Sequence, residues 1–187
     1  FLVLKTDITE RKELEQLLSK TQSLARLGSW EVDLVNNIAY WSQVIKEIHE
    51  VEVDYVPNYA DAINFIKEGD NRDLIVKQIT ESIATGKQWT VDVQMITAKR
   101  NEVWIRVVGE AELKNGICVK IYGSLQDIDV QKRADDALRS SNERYNLVAK
   151  ATNDAIWDWN LITDKVLRIG EGFKTLFGYN FEETNND

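Results

Sequence analysis

The chain has 187 residues, 43% of them apolar and 29% charged, with a single Cys and a single His. A chain of this length can fold without crosslinks, and one Cys and one His exclude an intramolecular disulfide and a four-ligand structural zinc site. The net charge of −8, without a basic block, argues against binding to nucleic acid or to an anionic membrane surface. The apolar runs are too short to span a membrane, so we expect a soluble, cytoplasmic segment, whether or not a longer parent protein is membrane-anchored.

An internal repeat indicates the domain organisation. Asp7-Ile8-Thr9 recurs as Asp127-Ile128-Asp129, 120 residues later, and the segment at 30–34 recurs at 157–161, 127 residues later. A repeat at this spacing predicts a unit of about 120–127 residues. The predicted boundaries are 1–9 as the last strand of a preceding copy, 10–28 as a helical connector, 29–129 as a complete domain, 130–150 as a second connector and 151–187 as the N-terminal part of a following copy.

Within the complete copy, apolar and polar residues alternate in segments typical of strands. Two short strands near 30–34 and 38–41 precede short helices, and three longer strands follow near 89–95, 103–113 and 117–126. Lys114-Asn115-Gly116 predicts a hairpin between the last two strands. The order predicts an α+β fold: a five-stranded antiparallel sheet with helices on one face, flanked by amphipathic connector helices.

The connectors carry apolar stripes that suit a contact with another surface. The first connector places four leucines on one stripe: Leu14, Leu17, Leu18 and Leu24. The predicted outer face of the sheet is partly apolar, with Trp104, Val108, Cys118 and Tyr122. Either these residues are scattered as on most surfaces, or the leucine stripe covers them in its own chain or a partner's. The second connector spaces Ala134, Leu138, Ser141, Tyr145 and Val148 like a coiled-coil seam, so we predict a homodimer through the connector helices.

Several motifs resemble those of PAS sensory domains. The relevant segments are the exit triplet with its charged continuation (7–12), the strand opening Glu102-Val103-Trp104-Ile105, the final strand with its exit triplet (122–128) and Phe177-Gly178-Tyr179. The resemblance covers nearly the whole chain, as parts of three tandem copies. It implies a sensory segment of a multi-domain signalling protein, most often a sensor histidine kinase, with adjacent PAS and effector domains as partners.

The exit triplets also have a physical interpretation. A strand that turns into a helix needs acceptors for the first helical amides, which Asp7, Thr9, Asp127 and Asp129 can supply. Ile8 and Ile128 can be buried against the domain. The resemblance implies that both triplets are signal exits, and a simple helix cap without a signalling role is the alternative.

The sequence contains no catalytic motif, neither a phosphate-binding loop nor a zinc-hydrolase or paired-cysteine motif. We therefore predict a segment without catalytic or metal-binding residues. His49 lacks the flanking residues of a phosphoacceptor histidine and, within the resemblance, lies in the wrong place for a haem ligand, so we expect it to be a packing residue. Cys118 does not lie in the motif of the light-sensing relatives. These positions argue against haem and flavin and leave the cofactor unknown.

Apolar residues between the helices and the inner face of the sheet make either a filled core or a cavity for a small apolar ligand. They are Ile63, Ile66, Val91, Val93, Ile105, Val107 and Ile121. No polar residue selects a ligand class. The sequence thus predicts a non-catalytic sensory and relay module that passes changes through helical connectors to a downstream effector, with a ligand-free dimerisation scaffold as the alternative.

Overall fold

The computed structural model describes residues 2–151, 156–169 and 178, and it divides into two compact units, residues 1–130 and 131–187. The first unit contains α1 (Leu2–Leu24), β1 (Leu27–Asp33), β2 (Ile38–Trp41), α2 (Gln43–His49), α3 (Tyr59–Asn64), α4 (Asp70–Thr85), β3 (Trp89–Ile96), β4 (Glu102–Lys114) and β5 (Ile117–Asp127). Helix α5 (Asp129–Ala151) begins in the first unit, and the second unit also contains β6 (Ile156–Asn160) and β7 (Lys165–Ile169).

The first unit is built on a five-stranded antiparallel sheet in the order β2-β1-β5-β4-β3. Helix α2 packs on β1, and α4 packs on β3 and β4. Alternation along β3 and β4 buries one face of the sheet, because side chains of successive strand residues point to opposite sides. The predicted α+β fold, with five antiparallel strands and helices on one face, is confirmed.

The predicted hairpin at Lys114-Asn115-Gly116 joins β4 and β5. Lys114 pairs with Ile117, and both loop residues have positive φ, 53° at Asn115 and 80° at Gly116. A two-residue loop of this kind matches the twist of the strands, and Asn-Gly adopts it readily.

One row of residues crosses the inner face of the sheet from edge to edge. Its members are paired in register across all five strands: Trp41, Trp30, Gly123, Gly109 and Trp89. A Cβ on Gly109 would lie 2.4 Å from Trp89 Cζ2, and one on Gly123 would lie 2.9 Å from Trp30 Cζ2. The two central strands thus carry glycine where the indoles approach them, a common use of glycine within a strand.

The two hairpins β1–β2 and β6–β7 share their geometry at an offset of 127 residues. The turns are closed by the pairs Asp33–Ile38 and Asn160–Lys165. Asp33 Oδ1 accepts hydrogen bonds from the backbone amides two and three residues later, and so does Asn160 Oδ1. Asn37 and Asp164, each the last loop residue, both have φ of 54°. The repeat in the sequence therefore corresponds to a repeated turn in the structure.

The strand predicted for residues 1–9 is wrong for residues 2–9, which form the first turns of α1. A strand needs a neighbouring strand for its backbone hydrogen bonds, whereas a helix satisfies them within its own segment. Asp7, Ile8 and Thr9 accordingly lie inside a helix and not at a strand-to-helix turn. Whether 1–9 belong to a preceding domain stays a prediction.

The face predicted for Cys118 is also wrong. Glu112 pairs with Lys120 but Leu113 pairs with Cys118, so β5 contains one extra residue at this point. Such a bulge reverses the alternation of side chains along the strand. Cys118 therefore packs against the core, and Ile117, which alternation places inside, is 70% exposed.

Candidate functional site

A cavity of about 70 Å³ lies between the inner face of the sheet and the helices. Its described lining is apolar apart from a few side chains: Trp30, Val32, Ala39, Trp41, Ile45, His49, Asn58, Ala62, Ile63, Ile66, Ile75, Ile79, Trp89, Val107, Ile121 and Leu125. A single buried water needs about 10–15 Å³ of such space, so the cavity is large enough for a small molecule.

The residues predicted from the sequence fall into two groups. Four of them line the cavity, namely Ile63, Ile66, Val107 and Ile121. The other three, Val91, Val93 and Ile105, are buried in the core beside it. The two alternatives that the sequence left open, a filled core and a cavity, thus occupy different parts of the same interior.

The sequence reasoning missed the polar atoms of the lining. The indole nitrogens Nε1 of Trp30 and Trp89 are buried, and neither has a hydrogen-bond acceptor among the described residues. The two ring centroids lie 6.4 Å apart, so the two indoles are neighbours in the lining. The sequence signal for this arrangement was the pair of glycines inside strands, Gly109 and Gly123, which indicates a close approach of another group.

His49 is packed among aromatic rings at one end of the cavity. Its ring centroid lies 4.2 Å from that of Trp41 and 4.9 Å from that of Phe65. Burial lowers the pKa of His49 to about 4, and the hydrogen-bond contact of 2.8 Å between Nδ1 and the Ile45 carbonyl opposes this shift only in part. The imidazole is therefore neutral at pH 7, with Nδ1–H as the donor to that carbonyl.

The end of α2 is fixed to the turn between β3 and β4, which holds His49 in place. The Thr97 hydroxyl donates to Glu50 Oε2, and Asn101 Nδ2 donates to the same oxygen over 2.7 Å. These hydrogen bonds lower the pKa of the Glu50 carboxyl, with the Thr97 contribution the largest. The Ala98 amide also donates to the His49 carbonyl over 2.9 Å.

A second candidate site is the junction where β5 passes into α5. Asp127 Oδ1 accepts the amide of Asp129 over 3.0 Å, and Ile128 between them is 4% exposed. The Ile128 amide donates to the Trp104 carbonyl over 2.9 Å, and the Trp104 amide donates to Asp129 Oδ1 over 3.3 Å. The start of α5 is thus tied to both β4 and β5.

The same junction is tied to the short turn between α1 and β1. Arg26 Nε lies 2.7 Å from Asp127 Oδ2, and the Asp127 amide donates to the Arg26 carbonyl over 3.2 Å. Gln126 Nε2 donates to the Ala25 carbonyl over 3.3 Å. The incoming helix, the last strand and the outgoing helix therefore meet at one corner of the sheet.

Solved structures with the same arrangement of strands and helices are known. A sensory box histidine kinase/response regulator from Burkholderia thailandensis matches with a TM-score of 0.58 and 23% identity, over 68% of this chain and 96% of that one. The N-terminal domain of a diguanylate cyclase with PAS/PAC sensor from Marinobacter aquaeolei matches with a TM-score of 0.51 and 15% identity, over 57% of this chain and 98% of that one. The first unit has a PAS fold. 

Comparisons with known protein sequences give little further information about this chain. An uncharacterized protein of Sinorhizobium fredii is 26% identical over 106 residues, which are 55% of this chain and 13% of that protein. The chain therefore spans only a small part of that relative. No family model matches the chain.

The leucine stripe on α1 does not cover the outer face of the sheet within one chain. Leu14, Leu17, Leu18 and Leu24 are each more than half exposed on α1. The alternative in which this stripe covers Trp104 and Tyr122 of its own chain is therefore wrong, because the four leucine side chains are exposed to solvent. On α5, Leu138 is more than half exposed and Tyr145 about half exposed. Contact of these residues with a partner stays a prediction.

Two absences can be stated for the part of the chain that the structure describes. No three or more side chains of His, Cys, Asp or Glu are placed there to hold a metal ion. None of the helices described is both long and apolar enough to cross a membrane.

Proposed function

We propose that this segment is a non-catalytic PAS sensory and relay module in signal transduction, which passes ligand- or partner-induced changes through its helices to a downstream effector. The observation that carries the proposal is the junction at Asp127. One carboxylate there accepts the Asp129 amide at the start of α5 and pairs with Arg26, which lies two residues after the end of α1. A displacement of the end of β5 therefore changes contacts next to both α1 and α5.

The path from the cavity to this junction is short. Ile121 and Leu125 line the cavity from β5, and β5 ends at Asp127. Filling of the cavity displaces these side chains, and the hydrogen bonds of Asp127 and Asp129 carry the displacement to the first turn of α5. A molecule that binds one arrangement more tightly than the other shifts the population between them, which is all that a relay requires.

We propose a histidine kinase as the effector, located elsewhere in a longer parent protein. This extension draws on the Burkholderia protein, which is named a histidine kinase/response regulator. The Marinobacter domain is named as part of a diguanylate cyclase, so a cyclase is the second candidate. A parent sequence with kinase or cyclase motifs after residue 187 distinguishes the two.

We further propose that β6 and β7 open a following PAS copy, which is the immediate partner of the first. The support is the shared turn geometry: Asp33 and Asn160, 127 residues apart, each accept hydrogen bonds from the amides two and three residues later. In this arrangement α5 is the connector between two sensory domains.

A dimerisation scaffold is the competing function, and the exposed stripe on α1 favours self-association in either case. Four leucines in water on one face of a helix are stabilised when a second copy covers them. In the sensory module the dimer aligns two relays, whereas in the scaffold it is the whole function.

Hydrogen exchange separates the relay from the scaffold. Ile79→Val trims the cavity wall on α4, and Val76→Ala removes a 44% exposed side chain from the same helix as the control. We expect Ile79→Val to change the exchange rates of amides 129–135 severalfold, and Asp127→Ala to abolish that response. Exchange at 129–135 that is the same in wild type, Ile79→Val and Val76→Ala would exclude the relay and leave the scaffold.

A further inference from the structure

Two residues that line the cavity carry hydrogen-bond donors that nothing in the described protein satisfies. They are the Nε1–H groups of Trp30 and Trp89, both fully buried, with Trp89 as a whole 6% exposed. The glycines at 109 and 123 allow the two indoles to lie close over the central strands, since a Cβ at either position would meet an indole carbon at less than 3 Å. The backbone is thus shaped to admit these two rings.

A buried donor without an acceptor is unfavourable, because its hydrogen bonds to water in the unfolded chain are not replaced. A purely apolar cavity needs no tryptophan here, since phenylalanine would supply an aromatic surface without the donor. The two indoles are neighbours, with ring centroids 6.4 Å apart. A ligand with a hydrogen-bond acceptor in the cavity would satisfy their donors.

The charge of the occupant follows from the lining. The described lining residues include no Asp, Glu, Lys or Arg. His49, which also lines the cavity, is neutral at pH 7 because burial lowers its pKa to about 4. An anion would therefore be buried without a counter-charge, which is strongly unfavourable. Apart from the amide of Asn58, the remaining lining is aliphatic or aromatic and favours an apolar body.

We propose that the cavity binds a small, neutral, mostly apolar molecule whose carbonyl oxygen accepts hydrogen bonds from the indoles of Trp30 and Trp89. Ketones, esters and lactones belong to this class, and a carbonyl oxygen has two lone pairs with which to accept both donors. The proposal rests on the sensory function above and specifies its ligand class. The volume of about 70 Å³ limits the ligand to a few heavy atoms.

Two isosteric probes test the acceptor directly on the full 187-residue chain. Acetone carries the carbonyl, and 2-methylpropene has the same shape and the same four heavy atoms with no acceptor, so both suit the small cavity. Binding of each is followed by the indole N–H resonances in ¹H–¹⁵N spectra, in which the six tryptophans give separate signals. We expect the ketone to bind about tenfold more tightly, because each neutral hydrogen bond adds a few-fold in affinity. We also expect it alone to shift the signals of Trp30 and Trp89.

Conservative variants test whether the preference for the ketone depends on the two indole donors. Trp30→Phe and Trp89→Phe keep an aromatic ring but remove the donor, and each is expected to reduce ketone affinity toward that of the alkene while alkene affinity changes little. Trp159→Phe is the matched control, because its Nε1 donates to Asp164 Oδ1 over 3.0 Å, outside the cavity. If a variant fails to fold, the comparison of the two probes on the wild-type chain still decides.

Each other outcome overturns the ligand class. Equal affinity for both probes, or ketone binding without movement of either indole signal, would show that the donors do not select the ligand, while the sensory function would stand. Failure of both probes to bind would also reject the class. The relay is then judged by the exchange rates at 129–135, which do not depend on the probe.

Discussion

Arg26 and Asp127 join the two ends of the PAS fold: Nε of Arg26 lies 2.7 Å from Oδ2 of Asp127. Arg26 lies between α1 and β1, and Asp127 is the last residue of β5. The side chain of Asp127 is 14% exposed, whereas that of Arg26 is 55% exposed. The pair therefore connects a mostly buried carboxylate to a guanidinium at the surface.

Removal of the guanidinium tests this connection. Arg26→Ala leaves the mostly buried Asp127 carboxylate without its cation, so we expect a loss of about 2 kcal/mol in the free energy of unfolding, between the values typical of exposed and buried pairs. Amides 127–130 should exchange severalfold faster. Arg11→Ala is the control, because Arg11 and Glu15 form a pair that is exposed on both sides. An effect no larger than that of Arg11→Ala would contradict the connection.

Gly109→Ala tests the close approach of Trp89 to the sheet. The added Cβ would lie 2.4 Å from Cζ2 of a rigid ring, so we expect a loss of about 3 kcal/mol in the free energy of unfolding, measured by urea denaturation. Gly116→Ala is the control: its φ is +80° and nothing lies within 4 Å of the new Cβ. It should cost about 1 kcal/mol, from backbone conformation alone. If both variants lost the same free energy of unfolding, the Trp89 ring would move aside without a measurable cost.

His49 makes stability depend on pH in a defined direction. Its pKa is about 4 when folded and 6.5 in the unfolded chain, so between these values the unfolded state binds more protons. Stability is therefore fully present above pH 6.5 and is lost as pH falls toward 4. We expect a loss of about 2 kcal/mol between pH 7 and pH 5, measured by urea denaturation.

His49→Gln provides the comparison for this titration, since His49 is the only histidine in the chain. The amide is neutral throughout and should flatten the stability profile between pH 7 and pH 5. A variant that keeps the wild-type slope in this range would assign the pH dependence to other groups.

Self-association is tested by charge on the leucine stripe. Leu17→Glu places a carboxylate in the stripe, and we expect the dimer dissociation constant to rise about tenfold or more, because burial of a leucine at each side is lost. Gln16→Glu adds the same charge on the opposite face of α1 and should change little. Both side chains are exposed, so neither change should unfold the domain. Sedimentation of a monomer at all concentrations, in wild type as in both variants, would reject the dimer.

Local sequence specified those parts of the fold that depend on neighbouring residues. Asn115 and Gly116 set their own turn, because both accept positive φ. The strand prediction is wrong for residues 2–9 because a short apolar stretch has no fixed preference between strand and helix. Which of the two forms depends on the segments that pack around it. The extra residue of β5 opposite Glu112 likewise depends on the pairing of two strands, and it moved Cys118 to the core.

The cavity was only partly predictable. Alternation identified inward residues such as Val107 and Ile121, but it cannot tell which of them contact one another and which face a space. Trp30 and Trp89 read as ordinary core residues, because the presence of an acceptor for an indole depends on contacts far away in the chain. Glycine inside two strands was the available indication, and it gains its meaning only when register places both glycines beside the indoles.

The cross-sheet row also has an evolutionary consequence. A Cβ on Gly109 would meet only atoms of the Trp89 indole, so a side chain at position 109 competes with that ring for the same space. A Cβ on Gly123 would lie 1.9 Å from the backbone oxygen of Val108, so a smaller ring at position 30 would not make room for it. Positions 109 and 89 are thus expected to substitute as a pair during divergence, with position 123 kept as glycine, so that related domains can differ in pocket size while keeping the same backbone.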